Sequence, residues 1–170
     1  EIAVELKVNK INCLVGTMPS GVSESEVHET LVDNLKYAAE ELSKNSIKLM
    51  VEPLNHYDAP GFYINTVKKA MELIETIDND NIYLQYDVYH AAREGEDHKL
   101  ILEEFFNKIG HIQVADNPDR NQPATGDVDY NFIFEELKRL NYKEYISMEY
   151  KPIPDTHASL NWLEKFGFSL

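Results

Sequence analysis

Short apolar runs alternate with longer amphipathic stretches along the whole chain. Five of the short runs predict strands, and they span Ile11 to Val15, Lys48 to Glu52, Ile82 to Asp87, His111 to Ala115 and Tyr145 to Glu149. These runs are nearly continuous rather than alternating in polarity. That pattern is typical of strands covered on both faces, as in a parallel sheet.

The amphipathic stretches predict helices, because their apolar residues recur every three or four positions. The predicted helices span Glu24 to Ser43, Thr66 to Ile77, Asp97 to Ile109, Asn131 to Leu140 and Thr156 to Phe166. Ser23 and Glu26 have the spacing of a capping box before the first helix, and Asp97 is the expected N-cap of the third. The opening residues, Glu1 to Asn9, resemble the end of a helix, so we expect further chain upstream.

Repeated strand–helix alternation predicts βα units around a parallel sheet, and so an α/β fold class. Two architectures fit this pattern: an open, doubly wound sheet and a (β/α) barrel. A complete eight-unit barrel takes about 250 residues. We therefore expect residues 1–170 to form a single domain that, if barrel-like, supplies about five of the eight units and is the later part of the barrel.

Composition limits the partners of this domain. The net charge of −14, from 30 acidic and 16 basic residues, disfavours nucleic acid as a partner because the chain repels phosphate backbones. No apolar run reaches the roughly 18 residues that a membrane span needs, so we expect no membrane partner. The single cysteine, Cys13, allows no intrachain disulfide and fits a cytoplasmic location. Cys13 lies in an apolar run and is predicted to be a small core residue.

Polar side chains stand at the ends of four successive predicted strands. Glu52, Asp87 and Glu149 each end a strand, and Gln113 lies within the fourth. Because functional residues of parallel sheets gather at the carboxyl ends of the strands, we expect these four side chains to converge at one rim. Taken singly, each acid is better explained as a solvated loop residue or a helix N-cap, and only the coincidence of all four at equivalent strand ends favours a site.

Three carboxylates and an amide held close together would need a cation. An oxygen-rich ligand set favours Mg²⁺ or Mn²⁺, with Zn²⁺ or Co²⁺ as alternatives if a histidine joins. Such an ion would polarise a substrate carbonyl and acidify the adjacent C–H bond. Two carboxylates could then remove and return the proton.

Other polar residues lie near this rim. His90 follows Asp87 by three positions, and donation to substrate, metal ligation and simple packing all fit it. Arg120 lies in a loop rich in turn formers and is a candidate clamp for a substrate carboxylate, or a solvated side chain. Asp58 and Asn55, in a second rim loop, are candidate substrate contacts.

The remaining histidines carry no partner pattern. We expect His111 to be structural and the others to lie on the surface, namely His28, His56, His98 and His157.

Several runs carry a family resemblance. They are Val15 to Gly21, Val51 to Asn55, Leu84 to His90, Ile109 to Asp116, Pro118 to Arg120, Gly126 to Tyr130 and Met148 to Pro152. In this order and at these separations they resemble the hydroxypyruvate isomerase family, within the xylose-isomerase-like TIM barrels. The resemblance covers nearly the whole chain and favours the (β/α)8 barrel over the open sheet.

The resemblance implies an intramolecular oxidoreductase of the aldose–ketose type that interconverts hydroxypyruvate and tartronate semialdehyde (2-hydroxy-3-oxopropanoate). It implies that Glu52 and Glu149 exchange the proton and also bind the metal, with Asp87 and Gln113 as the remaining ligands. Sugar 3-epimerases of the same superfamily have a histidine at the position of Gln113, so the glutamine favours the hydroxypyruvate branch. His90 and Arg120 match substrate-contacting positions.

Alternatives remain open within and beyond this resemblance. A relative acting on 2-oxo-tetronate shares the motifs, so the substrate is predicted only as a small hydroxy-oxo acid. The family has about three further βα units before the position of Ile11, so we expect either a longer protein or a second chain, as in a homo-oligomer, to cover the gap. The rival functions are an endonuclease-like protein acting on abasic DNA and a non-catalytic fragment.

Overall fold

Five parallel strands, ordered β1 to β5 across one sheet, form the centre of the computed structural model, which describes residues 1–168. The strands are β1 (Lys10–Asn12), β2 (Lys48–Val51), β3 (Ile82–Asp87), β4 (Ile109–Val114) and β5 (Ile146–Met148). The helices are α1 (Ile2–Glu5), α2 (Glu24–Ser43), α3 (Val67–Ile77), α4 (Val88–Arg93), α5 (His98–Phe105), α6 (Tyr130–Arg139), α7 (Thr156–Ser159) and α8 (Trp162–Lys165), with a 3-10 turn at Phe106–Lys108. This confirms the prediction of an α/β fold with five parallel strands.

The sheet is curved like part of a barrel. The Nζ atom of Lys10, in β1, lies 2.9 Å from Oε2 of Glu144, two residues before β5. An ion pair between the first and last strands requires the two outer strands to approach each other at their amino-terminal ends. The five strands therefore form a half-barrel, and the barrel alternative is the correct one. Within residues 1–168, no strand pairs with the outer edges of β1 and β5.

Apolar faces of the helices cover the outside of the sheet. In α3, for example, Ala70, Leu73 and Ile74 are buried against β3. Inside the curve, Gly110 leaves room for larger neighbours, since a Cβ there would lie 2.7 Å from the Met50 sulfur. Cys13 is half-buried at the edge of this core, and its burial raises the thiol pKa.

The capping predictions are confirmed. Ser23 and Glu26 form the capping box of α2, and the Asp97 carboxylate accepts hydrogen bonds from the first turn of α5. The opening segment contains a short helix, α1, as the sequence suggested.

Several predicted boundaries are wrong. The first strand ends at Asn12 rather than Val15, and the last omits Tyr145 and Glu149. The helix predicted to end at Ile109 ends at Phe105, because Ile109 pairs with Leu84 and so opens β4 two residues before His111.

Two helical segments also differ from prediction. The stretch from Thr156 to Phe166 is broken into α7 and α8 rather than continuous. The short helix α4 was not predicted. It begins directly after β3 because the Asp87 side chain accepts the backbone N–H of Tyr89. Within the described residues, no helix has both the length and the apolar character needed to cross a bilayer.

Candidate metal and proton-transfer site

The ends of β2, β3 and β4 bring three of the predicted site residues to one end of the sheet. Glu52 follows β2, Asp87 ends β3, and Gln113 pairs in register with Asp87. All three are buried, with Asp87 only 2% exposed. Three of the four oxygen-bearing side chains that were expected to converge therefore meet inside the half-barrel.

A compact group that could hold a metal ion consists of Glu52, Asp87 and His90, whose ligand atoms all lie within 4.8 Å of one another. The buried Oδ2 atom of Asp87 has no hydrogen-bond partner in the described structure. A buried carboxylate oxygen is costly to leave without a partner, and a divalent cation would supply one. The carboxylate oxygens of Glu52 and Asp87, together with the neighbouring amide oxygen of Gln113, fit a hard cation such as Mg²⁺ or Mn²⁺.

Burial perturbs the acids of this group. It is the main cause that raises the pKa of Glu52 to about 7, and the nearby Asp87 and Glu149 carboxylates add to the effect. Burial likewise raises the pKa of Asp87 to about 7, against the opposing effect of the Arg120 guanidinium. Both acids are therefore poised to gain or lose a proton near neutral pH, and a bound cation would favour their charged forms.

The hydrogen bonds of His90 indicate its role. Its Nδ1 accepts the backbone N–H of Asn55 at 3.0 Å, so the ring proton of the neutral imidazole resides on Nε2. Burial lowers the pKa of His90 to about 4, which keeps the ring neutral at pH 7. The protonated Nε2 faces Oδ2 of Asp87 at 3.7 Å. Of the roles that the sequence left open, this arrangement favours a hydrogen-bond donor at the site over a metal ligand.

Glu149 lies at the edge of the site and outside the compact group. Its side chain is 48% exposed, and its Oε1 atom pairs with Nη2 of Arg120 at 2.6 Å. Its Oε2 atom accepts a hydrogen bond from the side-chain amide of Gln113. Glu149 is thus connected to the other predicted site residues through Gln113 and Arg120.

Arg120 faces several acids of the site. Besides Glu149, its guanidinium lies 3.9 Å from Asp87 and 3.8 Å from Asp58, and it stacks over the Tyr89 ring at 5.0 Å. Arg120 therefore lies at the rim of this site, and its side chain is not freely solvated. Its use as a clamp for a substrate carboxylate remains a prediction.

The loop between β4 and α6 holds Arg120 in place. The buried Asp116 carboxylate accepts backbone N–H bonds from Asn117, Thr125 and Val128 at 3.0, 3.0 and 3.1 Å. Its carbonyl accepts the N–H of Arg120 at 2.9 Å, and Arg120 itself adopts a left-handed backbone with φ of 60°. Asp116 therefore determines the shape of the loop that carries the arginine.

The second rim loop joins the site through Asp58. The Asp58 carboxylate accepts hydrogen bonds from the Tyr89 hydroxyl at 2.8 Å and from the Asn55 amide at 3.2 Å. Asn55 is fully buried, and its Oδ1 accepts the backbone N–H groups of Tyr57 and Asp58. Asn55 thus shapes this loop, whereas Asp58 remains a candidate substrate contact.

Two buried amides were missed by sequence reasoning. Gln85 donates to both Glu52 and Gln113, and Asn12 donates to Glu52 at 2.5 Å. A signal for Gln85 was present, since it lies two positions before Asp87 and alternate residues of a strand share one face. Asn12 was missed because the first strand was predicted to end at Val15. That prediction placed Asn12 inside the strand rather than at its carboxyl end.

The remaining histidines lie away from the metal group. His111 contacts Ser147 at 2.8 Å, in keeping with a structural role. His56 and His157 are exposed, and His28 is half-buried. The surface prediction for His98 is wrong, because its Nδ1 lies 2.5 Å from the hydroxyl of the fully buried Tyr86.

Comparisons with known proteins match nearly the whole chain. The profile of the family described as "Xylose isomerase-like TIM barrel" matches residues 1–166. Hydroxypyruvate isomerase from Escherichia coli K12 is 41% identical over 157 residues, which is 92% of this chain and 61% of that protein. The 2-oxo-tetronate isomerase of Pectobacterium atrosepticum is 35% identical over 164 residues, which is 96% of this chain and 63% of the relative.

A solved structure shares the same half-barrel. The crystal structure of an AP endonuclease of family 2 from Brucella melitensis superposes with a TM-score of 0.91 at 29% identity. The superposition covers 96% of this chain and 63% of that one. The chain thus spans less than two thirds of the length of these similar proteins.

Proposed function

The chain belongs to the xylose isomerase-like TIM barrel family, and from that premise we propose that it acts as a metal-dependent isomerase of hydroxypyruvate and tartronate semialdehyde. The observation that carries the proposal is the buried pair of Glu52 and Asp87, in which the Oδ2 atom of Asp87 has no hydrogen-bond partner among the described residues. The similarity to hydroxypyruvate isomerase at 41% identity supports the substrate class.

In this proposal Glu52, Asp87, Gln113 and Glu149 hold the ion, through side-chain oxygens that suit Mg²⁺ or Mn²⁺. A bound cation would supply Lewis-acid polarisation of the substrate carbonyl and so acidify the adjacent C3–H bond of hydroxypyruvate. Glu52 and Asp87 are both buried, which limits the access of water to their carboxylates.

Proton transfer falls to the two glutamates. One of Glu52 and Glu149, as the carboxylate, takes a proton from C3, the electron pair of that C–H bond forms the C2–C3 double bond, and the π pair of the C2 carbonyl moves onto the C2 oxygen to give an enediolate. The proton of the C3 hydroxyl passes to the C2 oxygen, the C3–O bond becomes the aldehyde carbonyl, and the C2–C3 electron pair takes a proton at C2 from the other glutamate, which acts as the acid. With a cation bound, Glu52 would be held as the carboxylate, which suits it to accept the proton.

Neighbouring groups would bind the substrate. His90 Nε2–H is placed to donate to a substrate oxygen, since its Nδ1 is already engaged by Asn55. Arg120 offers the planar guanidinium that recognises carboxylates bidentately. The side chain of Glu149, which pairs with Arg120 in the structure, is half-exposed. In this proposal the Arg120 guanidinium binds both the Glu149 carboxylate and the substrate carboxylate. Asp58 lies next to Arg120 and completes the rim.

Exchange of substrate protons with solvent tests this proposal directly. In D₂O with Mn²⁺, hydroxypyruvate and the chain should give tartronate semialdehyde and deuterium at C3 of the substrate. Glu52→Gln and Glu149→Gln should each lower the rate by at least about a thousandfold, because each removes one partner in proton transfer. Glu104→Gln, at an exposed position on α5, is the matched control. Near-normal turnover in both site variants would reject the assignment.

A four-carbon substrate is the second candidate within the same chemistry, and the similarity to 2-oxo-tetronate isomerase favours it. Comparing kcat/KM for hydroxypyruvate and 2-oxo-tetronate under the same conditions decides between the two. A higher value for 2-oxo-tetronate would transfer the assignment to that substrate.

An endonuclease-like role is suggested by the description of the Brucella protein. The net charge of −14 opposes it, because binding to duplex DNA draws on positive charge that neutralises phosphates. Titration of the chain with a duplex containing an abasic site at low and high salt tests this role. Salt-sensitive binding at micromolar concentration would support it over the isomerase.

A further inference from the structure

A buried amide, Gln85, joins two of the proposed metal ligands. Its Nε2 lies 3.0 Å from Oε2 of Glu52 and 2.6 Å from Oε1 of Gln113. Gln85 is 7% exposed and shares the inner face of β3 with Asp87. Both N–H groups of a single primary amide are therefore directed at the two ligands.

These bonds belong to a continuous chain across the site. Asn12 donates to the same Glu52 oxygen as Gln85 does, at 2.5 Å. Beyond Gln113, the chain continues as the Gln113 amide donates to Glu149. The two proposed proton-transfer glutamates are thus connected through Gln85 and Gln113.

The orientation of an amide has chemical consequences for metal binding. One end of the Gln113 amide is an acceptor that can ligate a hard cation, and the other end is a donor that cannot. Because Gln85 presents N–H groups, the Gln113 atom facing it must be the oxygen. That oxygen has a second lone pair for the cation, whereas a flipped amide would present nitrogen to it.

Glu52 is constrained in a similar way. Asn12 and Gln85 both donate to its Oε2 atom, which fixes the plane of the carboxylate and leaves its second oxygen for an ion. Outer partners that hydrogen-bond to ligands in this manner typically tune metal affinity about 10- to 100-fold.

We propose that Gln85 is a positioning residue that orients the Gln113 amide oxygen and the Glu52 carboxylate toward the metal ion. Gln85 does not touch the substrate or the ion, and it acts through the two ligands. This inference rests on the proposed metal-dependent function.

Mn²⁺ affinity, measured by isothermal titration calorimetry, tests the role without relying on activity. Gln85→Met keeps the length of the side chain and removes both donors, so Kd should rise about 10- to 100-fold. The control is Asn81→Ser, at an amide that donates to the Ala39 and Ile47 carbonyls rather than to any site residue. Asn81→Ser is expected to lower the melting temperature and to leave the Kd for Mn²⁺ within about twofold of that of the unsubstituted chain.

A second substitution separates orientation from general damage to the fold. In Gln113→Glu both terminal atoms are oxygens, so no donor is needed to select the ligating one. Adding Gln85→Met to the Gln113→Glu variant should therefore raise its Kd for Mn²⁺ by about threefold or less. The same substitution in the chain that keeps Gln113 should raise Kd about 10- to 100-fold. If Gln85→Met weakens Mn²⁺ binding by the same factor with Gln113 and with Gln113→Glu, the orienting role of Gln85 is overturned.

The outcomes distinguish this inference from the proposed function. If the unsubstituted chain binds no Mn²⁺, the metal site itself is rejected, and the role of Gln85 falls with it. If the chain binds Mn²⁺ and Gln85→Met binds equally well, only the inference about Gln85 is overturned.

Should Gln85→Met fail to fold, the side-chain amide protons of Gln85 in the unsubstituted chain provide the measurement. In NMR spectra they should exchange slowly with solvent and shift on addition of Mg²⁺. Rapid exchange, or no shift at a saturating Mg²⁺ concentration, would contradict the proposal.

Discussion

The Arg120 guanidinium lies 2.6 Å from the Glu149 carboxylate, although 29 residues separate the two in the chain. Arg120 also stacks on Tyr89 and lies within 4 Å of an oxygen of Asp87 and of Asp58. The positively charged Arg120 side chain therefore faces acidic residues from three different loops or strands. Replacing the Arg120 guanidinium should therefore affect both the position of Glu149 and the binding of an anionic substrate.

Arg120→Lys tests this double role. Lysine keeps the charge but lacks the planar fork that engages two carboxylates, so we expect kcat/KM for hydroxypyruvate to fall on the order of 100-fold. Arg139→Lys is the matched control, since Arg139 pairs with Glu136 on the exposed side of α6. Steady-state kinetics of both variants make the comparison, and equal values for Arg120→Lys and the unsubstituted chain would contradict the role.

Asp116→Asn should loosen the loop that carries Arg120. The buried carboxylate accepts three backbone N–H bonds, and an amide has only one oxygen with which to replace them. We expect the free energy of unfolding to fall by about 1–3 kcal/mol, the usual cost of buried donors left without an acceptor. Urea denaturation measures the loss, and Asp119→Asn, at an exposed position in the same loop, should change it little. A loss no greater than that of the control would show that the loop does not depend on Asp116.

The ends of the central strands were predictable because two physical signals coincide there. Glu52 and Asp87 each terminate an apolar run, and the carboxyl ends of parallel strands share one edge. The short helix α4 was not predictable in this way, since Val88 and Tyr89 continue the apolar run of β3. Only the cap formed by the Asp87 side chain turns that run into a helix.

Contacts between distant loops could not be read from the sequence. The pairing of Arg120 with Glu149 depends on the left-handed backbone at Arg120 and on the buried Asp116, neither of which a local pattern specifies. The role of Gln85 also depends on tertiary packing, because an amide in a strand faces either the helices or the inside of the barrel. Only the register of β2, β3 and β4 places it between Glu52 and Gln113.

Binding of Mn²⁺ should weaken as the pH falls. The pKa values of Glu52 and Asp87 are raised to about 7 in the ion-free protein, so both acids hold protons at pH 6 that a cation must displace. We expect the apparent Kd to rise at least about tenfold between pH 8 and pH 6, with protons released on binding. Calorimetry in two buffers of different ionisation enthalpy measures both quantities. A Kd that does not change with pH would contradict ligation by these two carboxylates.

His98 should make the stability of the fold depend on pH. The hydroxyl of buried Tyr86 shares a hydrogen bond with its Nδ1, and burial lowers the pKa of His98 from 6.5 to about 4, despite the opposing charge of Asp97. Because the folded state favours the neutral ring, the stabilisation is fully present above pH 6.5 and is lost as the pH falls from 6.5 toward 4. His98→Gln keeps a hydrogen-bonding partner for Tyr86 but does not titrate. The free energy of unfolding of the unsubstituted chain should therefore fall relative to that of His98→Gln between pH 7 and pH 5. Urea denaturation at both pH values measures the difference, with His157→Gln, at an exposed histidine, as the control. If the difference in the free energy of unfolding between the unsubstituted chain and His98→Gln is the same at pH 7 and pH 5, His98 is not the group that titrates.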